Sequence, residues 1–151
     1  MGCTRNNCVA IDKSNACRNA FNWYVANYHR PEDTVLLVHI LKMSKTSNIN
    51  PEQELKKFHK SVQKAKEVVA TYETICEEKE IKCLTVIENY SNCIGSSICE
   101  VALKHGANVI IVGKRNLSTL SRLTLGSTSK YILHHSSVPV VIISEEYSMG
   151  V

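Results

Sequence analysis

The sequence lacks the long apolar segments that would place it in a membrane or mark it for export. No hydrophobic run approaches the roughly 18 residues that span a bilayer, and the chain opens on no secretory signal. Hydrophobic residues make up 44% of the chain and charged residues 21%, which is ordinary for a globular domain. We therefore expect a cytoplasmic protein with no membrane partner. Its 151 residues predict a single domain spanning 1–151, with an N-terminal tail at 1–7 and a C-terminal tail at 145–151.

The sequence also lacks the cysteine spacing of a zinc or thioredoxin-like site. It has seven cysteines, but none form a C-x-x-C pair, and no Cys/His cluster has the spacing of zinc ligands. In a cytosolic chain these cysteines are interpreted as reduced thiols that pack as small hydrophobic side chains. No metal site is predicted.

Two common phosphate-binding motifs are missing as well. A P-loop in the C-terminal third would need Gly at 108 and Ser or Thr at 115, but the chain has Asn108 and Arg115. A dinucleotide fingerprint would need its glycines directly after the first strand, where the chain has Asp12, Lys13 and Ser14. Both nucleotide-binding classes are excluded in their usual form.

Acidic residues are absent from one long part of the chain. Between residues 101 and 144 there is no Asp or Glu, while five Lys or Arg are present; the first hundred residues hold 13 basic and 12 acidic side chains. Nearly all of the net charge of +4 therefore belongs to the C-terminal third, which favours an anionic ligand there. An ordinary polar loop followed by a serine-capped helix is the alternative.

The apolar pattern predicts alternating strands and helices. Each strand is a short, continuous apolar run of the kind that is buried on both faces of a parallel sheet. The helices are bounded by capping residues such as Ser14, Pro51 and Gly106. The order βαβαβαβαβ predicts an α/β, three-layer, doubly wound parallel five-stranded sheet of Rossmann-like type. The predicted strands are 8–11, 34–41, 82–88, 108–112 and 138–143, and the helices are 14–30, 51–79, 91–105 and 127–135.

The second helix is the longest and carries an apolar stripe along its whole length. Its positions alternate spacings of three and four, which is typical of a helix that packs on a sheet, although a coiled-coil seam has the same spacing. The lysine-rich run 56–60 is interpreted as a solvated face, so no nucleic-acid partner is expected. The stripe consists of Leu55, Phe58, Val62, Ala65, Val69, Tyr72 and Cys76.

The segment 113–129 follows the fourth strand and so lies at the carboxyl edge of the predicted sheet, where such folds bind ligands. Gly113 and Gly126 have no side chain, so the backbone can approach a ligand closely. The residues after Gly126 open a helix whose free N–H groups suit a phosphate. The hydroxyl groups of Ser127, Thr128 and Ser129 add further donors.

These features together resemble the universal stress protein superfamily over nearly the whole chain. The ATP-binding members have the motif G-x2-G-x9-G-[S/T] after strand four. Here Gly113, Gly126 and Ser127 keep its spacing, and Asn116 replaces the middle glycine. Asp12 in "VAIDKS", the strand "LLVHI" and the closing "VPVVII" also match the family.

The resemblance implies sheet order 3-2-1-4-5 and an adenine nucleotide (ATP, or AMP or ADP) across the strand ends, with Mg²⁺ held through its phosphates. It also implies a homodimer through the strand Val138–Ile143. No catalytic residue is predicted. His39 is interpreted as a satisfied core histidine. The nucleotide-binding residues that the resemblance implies are Ala10, Ile11, Asp12, Ile40, Val112, Gly113, Arg115, Asn116, Gly126, Ser127, Thr128 and Ser129.

Three functions remain open. The first is an ATP-binding stress-response or regulatory protein without vigorous chemistry. The second is a slow ATPase, which would need carboxylates for Mg²⁺ near the phosphates, where Asp12 is the only obvious candidate. The third is a dimeric interaction module that no longer binds nucleotide, because the side chain of Asn116 could obstruct a phosphate.

Overall fold

The computed structural model describes residues 3–42, 50–90, 92–114 and 125–147. Five strands alternate with four helices along the chain. The strands are β1 (Asn6–Ala10), β2 (Thr34–Leu41), β3 (Lys82–Asn89), β4 (Val109–Lys114) and β5 (Val140–Ser144). The helices are α1 (Asn15–Asn27), α2 (Pro51–Glu78), α3 (Ile94–Lys104) and α4 (Ser127–His135).

All five strands are parallel, in the order β3-β2-β1-β4-β5. This confirms the predicted order, with β1 in the centre. Successive strands are added on one side of β1 up to β3 and on its other side from β4 onward. Ala10 pairs with Val38 of β2, and Val9 pairs with Ile111 of β4. The carboxyl ends of β2, β1 and β4 therefore meet at one edge of the sheet.

The helices cover the two faces of the sheet in pairs. Phe21 and Tyr24 of α1 and Tyr72 of α2 belong to the apolar cluster on one face. Ile98 of α3 and Ile132 of α4 belong to the cluster on the other face. Each strand supplies alternate residues to the two clusters, as expected for strands buried on both sides. The three-layer α/β fold is confirmed.

Local capping explains where the helices begin and end. The hydroxyl of Ser14 accepts a hydrogen bond from the Cys17 amide at 3.2 Å, so α1 starts where a serine cap predicts. α2 ends in a Schellman turn, because the Ile81 amide donates to the Cys76 carbonyl at 2.8 Å and Glu80 has φ 54°. Gly106 has φ 62° after α3, in agreement with its predicted role at that helix end.

Several predicted boundaries differ from the observed ones. β1 begins at Asn6 and not at residue 8, β4 continues to Lys114, and β5 begins at Val140 and not at residue 138. α1 ends at Asn27, before Pro31, and α3 begins at Ile94 because Cys93 caps it. These ends are set by pairing and capping, which apolar periodicity does not reveal.

The apolar stripe of α2 is only partly buried, which corrects the expectation that all of it packs on the sheet. Ala65, Val69, Tyr72 and Cys76 are buried, whereas Leu55 is 54% exposed; Phe58 and Val62 are half-buried. At about 1.5 Å per residue a 28-residue helix is much longer than an eight-residue strand. The first three turns of α2 therefore extend past the sheet edge.

The predicted N-terminal tail at 1–7 is wrong from Arg5 onward, because these residues are held in a polar cluster. Arg5 Nε donates to Asp33 Oδ1 at 3.0 Å. The side-chain Nδ2 of Asn7 donates to Asp33 Oδ2 at 3.0 Å and to the Tyr24 hydroxyl at 3.2 Å. Asn7 and Asp33 are both buried. The Tyr24 hydroxyl lies 2.7 Å from Nδ1 of His29. This cluster ties the start of β1 to the start of β2 and the end of α1.

Candidate functional site

The strand ends bring several of the predicted site residues to one edge of the sheet. Ala10 ends β1, Ile40 is next to last in β2, and Gly113 is next to last in β4. The side chains of Ala10, Ile40 and Val112 are buried in the cluster on the α3–α4 face, whereas Ile11 belongs to the opposite cluster. The three strands are adjacent, so these residues line the edge where doubly wound folds bind ligands.

The turn after β1 has a defined geometry. The Ile11 amide donates to the Val38 carbonyl at 2.9 Å. Asp12 Oδ1 then accepts a hydrogen bond from the Ser14 amide at 2.6 Å. The Asp12 side chain is half-buried, so it caps the turn and still reaches solvent at the strand edge. Asp12 thus has a structural role in the turn that leads into α1.

Gly113 is required by the fold and not only by a ligand. A Cβ atom built on it would run into the Ala16 carbonyl group and lie 2.9 Å from the Cys17 amide nitrogen. The absent side chain lets the start of α1 pack directly on β4. The reason first considered for Gly113, close approach of a ligand, is therefore not needed to explain it.

Gly126 has the opposite surroundings. Among the residues that the structure describes, a Cβ atom on it would meet nothing within 4 Å, and its φ of −63° is open to any residue. It is the N-cap of α4 and provides no side-chain capping bond; its carbonyl accepts from the Lys130 amide at 2.9 Å. In the described part of the chain, no hydrogen bond occupies the amides of Ser127, Thr128 and Ser129. The helix thus presents unpaired donors toward the strand edge.

The hydroxyl-bearing residues of α4 differ in exposure. Ser127 is exposed, Thr128 is half-buried and Ser129 is buried. Arg115 and Asn116 lie outside the described residues, so their predicted roles have no structural description. Among the residues that the structure covers, no group of three His, Cys, Asp or Glu side chains could hold a metal ion.

A shallow groove of about 280 Å³ adjoins Asp12 on the α1–α2 face. The sequence did not predict it, because its walls come from two helices that are distant along the chain. Burial raises the pKa of the nearby Cys17 thiol to about 12, so that thiol is no nucleophile at neutral pH. Asp12 is the one predicted site residue in its lining, which consists of Asp12, Lys13, Ser14, Arg18, Glu67, Val68, Thr71 and Tyr72.

Two residues that support the site were not included in the prediction. Nδ1 of His39 lies 2.8 Å from the Ile11 carbonyl and so orients the peptide that precedes Asp12. This contact agrees with the expectation that His39 has a hydrogen-bond partner. Ala16 provides the backbone surface that Gly113 packs on. Ala16 lies in the first turn of α1, and an alanine at such a position gives no sequence signal for this role.

Comparison with known proteins places these features in a family. The model of the universal stress protein family matches residues 4–144, and the chain belongs to that family. A universal stress protein from Mycolicibacterium smegmatis is 46% identical over 37 residues. That match covers 24% of this chain and 13% of the mycobacterial protein.

Solved structures of family members have the same fold. A universal stress protein from Arabidopsis thaliana with AMP bound superposes with a TM-score of 0.71 at 20% identity, covering 93% of this chain and 91% of that one. One from Lactobacillus plantarum has a TM-score of 0.74 at 19% identity, covering 92% and 97%. One from Archaeoglobus fulgidus in complex with dAMP has a TM-score of 0.64 at 18% identity, covering 95% and 99%.

Proposed function

We propose that this chain is an adenine-nucleotide-binding regulatory protein of the stress response, with ATP as its ligand and Mg²⁺ held through the phosphates. The observation that carries the proposal is the amino end of α4. Gly126 leaves open space there, and three successive amides have no partner in the described structure. Such a helix end attracts a phosphate through its N–H groups and its dipole. The AMP and dAMP complexes of similar proteins support the adenine end of the proposal.

In this proposal the base and sugar lie along the strand edge, away from the phosphates at the amino end of α4. Asp12 accepts from a ribose hydroxyl while it caps its own turn. The backbone of Ala10 and Ile11 meets the adenine edge, and Ile40 limits the space beside the base. Val112, Gly113, Arg115 and Asn116 line the path from the ribose to the phosphates, which rest on the segment from Gly126 to Ser129.

Binding without rapid turnover fits the residues available. Phosphate hydrolysis needs a group that positions water and usually carboxylates that hold Mg²⁺. The segment 101–144 contains neither Asp nor Glu, which leaves Asp12 as the candidate. We therefore propose at most weak ATP hydrolysis. The measurement is phosphate release by the purified protein: turnover that Asp12→Asn abolishes would favour the slow-ATPase function.

A homodimer through β5 completes the proposal. β5 is a sheet edge, its residues Val140, Val141 and Ile142 are only half-buried, and apolar edges invite pairing with another chain.

No helix in the described part of the chain is long and apolar enough to cross a membrane. We propose a cytoplasmic location and no nucleic-acid partner.

The phosphate end is tested by Gly126→Val. Since a Cβ at this position meets no atom of the described residues within 4 Å, we expect the variant to fold, and a loss of ATP affinity then reports an obstructed ligand. We expect at least a tenfold loss by calorimetric titration, equal to about 1.4 kcal/mol. Leu133→Val on the exposed side of the same helix is the control. Unchanged ATP binding by Gly126→Val would contradict the proposed phosphate position.

The middle position of the glycine motif is tested by Asn116→Gly. This change restores the family pattern, so ATP affinity should stay equal or rise, because Asn is the residue that best replaces a glycine in a left-handed conformation. A marked loss would mean that Asn116 itself contacts the nucleotide. If neither the original chain nor Asn116→Gly binds ATP, and both are folded, the interaction module without nucleotide becomes the better function.

A further inference from the structure

The outer side of β3 is the least covered part of the sheet. No residue of this strand is fully buried, although it is eight residues long and lies at the edge opposite β5. Leu84 pairs with Leu36, which is buried in the α3–α4 cluster, yet Leu84 itself is 50% exposed. One face of this edge therefore carries exposed apolar surface.

Two opposite charges frame that apolar surface. Lys82 and Glu88 are six residues apart in β3, so their side chains lie on the same face as Leu84 and Val86. Neither charge has an ion-pair partner in the described part of the chain. β3 thus presents the pattern Lys, Leu, Val, Glu along one face of an open edge.

We propose that this edge pairs with β3 of a second copy of the chain, antiparallel and centred on Thr85. This register places Lys82 opposite the partner's Glu88 and Leu84 opposite the partner's Val86. Two-fold symmetry repeats both pairs, so the strand is complementary to itself in charge and in apolar surface. Opposite charges and apolar residues directly across an antiparallel ladder stabilise the pairing.

The register is specified by the side chains. Moving the partner strand by two residues places Lys82 opposite Val86 in one direction, or Leu84 opposite Glu88 in the other. Moving it by one residue brings side chains that belong to opposite faces of the sheet across from each other. Only the register centred on Thr85 satisfies both charges and both apolar residues. A second copy is therefore a better occupant than a strand of unrelated sequence.

The two edges then have separate roles in assembly. β5 and β3 lie at opposite ends of the sheet order, so a two-fold contact at one leaves the other open. If both contacts form, the copies build an open array of sheets and not a closed dimer. The β3 contact does not depend on nucleotide. It can be measured separately in a variant whose β5 contact is blocked.

The experiment uses Val140→Lys, which places a charge on the apolar β5 edge, and measures mass by analytical ultracentrifugation over a concentration series. In this background the chain should still form a dimer. Lys82→Glu and Glu88→Lys should each weaken that dimer by about tenfold or more, because two attractive pairs become repulsive. The double variant Lys82→Glu with Glu88→Lys should restore it. Lys66→Glu, a charge reversal on the exposed face of α2, is the matched control.

A monomer at every concentration in the Val140→Lys background overturns the β3 contact. So does a double variant no stronger than the single reversals, or a dimer that both single reversals leave intact, since either result places association elsewhere. The proposed β5 dimer fails separately, if Val140→Lys leaves the mass of the original chain unchanged.

Discussion

At the scale of single residues, two glycines of the same motif have different physical reasons. Gly113 has the backbone of α1 against it, whereas no described atom lies within 4 Å of a Cβ built on Gly126. In a sequence motif both positions appear only as glycine, so the motif does not distinguish the two reasons. The structure separates the position that the fold requires from the position at which we propose a ligand.

Gly113→Ala should therefore destabilise the protein, while Gly126→Ala should not. The added methyl at Gly113 forces α1 away from β4, and overpacking of this kind costs about 1–3 kcal/mol. Urea denaturation of the two variants beside the original chain measures the difference. Equal midpoints for the two variants would contradict the packing role of Gly113.

The polar cluster at the amino end of the sheet makes stability depend on pH. Burial lowers the pKa of His29 below its usual 6.5, with the nearby Arg5 adding to the effect and Asp33 opposing it. Burial acts to raise the pKa of Asp33, but the hydrogen bonds from Arg5, the Arg30 amide and Asn7 outweigh it and hold that pKa below its usual 3.8. Each group thus binds its proton more weakly in the folded chain than in the unfolded chain.

The sign is the same for both groups. Where the unfolded chain binds more protons, stability rises with pH. The contribution of His29 is complete above pH 6.5 and is lost as the pH falls toward its folded pKa. The contribution of Asp33 is complete above pH 3.8 and is lost as the pH falls through its folded pKa.

Asp33→Asn should lower the free energy of unfolding by about 1.5–3 kcal/mol at neutral pH, because a charged hydrogen-bond partner is lost. It should also flatten the decline of stability below pH 3.8. Urea denaturation at a series of pH values measures both effects. A decline of the same slope in the variant and the original chain would mean that another carboxyl group is responsible.

At the scale of elements, the apolar stripe of α2 lies in two environments, one buried against the sheet and one exposed to solvent. Its C-terminal half packs on β2 and β3, and its first turns extend beyond the sheet. The alternation of spacings is the same throughout, so periodicity alone could not show where the burial ends.

Val69→Ala and Leu55→Ala should therefore differ in their effect on stability. Val69 is 6% exposed and Leu55 is 54% exposed. Truncating Val69 removes buried methyl groups and should cost about 1.5–3 kcal/mol. Truncating Leu55 should change stability by less than about 0.5 kcal/mol. A large cost for Leu55→Ala in urea denaturation would mean that its side chain is covered in solution.

At the scale of the whole molecule, binding of the proposed nucleotide should raise the free energy of unfolding, and its affinity should depend on charge. A ligand that binds only the folded chain at a hundred times its Kd adds about 2.7 kcal/mol to the free energy of unfolding. The net charge of +4 lies mainly in the C-terminal third, so affinity should rise with the number of phosphates.

Titration calorimetry should therefore rank ATP above ADP and ADP above AMP, with the differences shrinking as salt is raised, because salt screens the charges. Hydrogen exchange should slow at the start of α4 and at the carboxyl ends of β1 and β4. Protection confined to the α1–α2 groove would place the nucleotide there and contradict the proposed site. Equal affinities for the three nucleotides would mean that the additional phosphates of ADP and ATP do not contact the protein.

The sequence by itself determined the α/β class, because five apolar runs separated by helical periods can only bury both strand faces in a parallel layered sheet. It also indicated α4 and its start directly after Gly126, since these signals are local. The strand order came from the family resemblance and was confirmed. The tertiary structure decided what depends on distant residues meeting. The Ala16 carbonyl leaves no room for a side chain at Gly113, Arg5 donates hydrogen bonds to Asp33, and the first turns of α2 extend beyond the sheet. None of these contacts can be derived from local sequence, because each depends on how all the elements pack together.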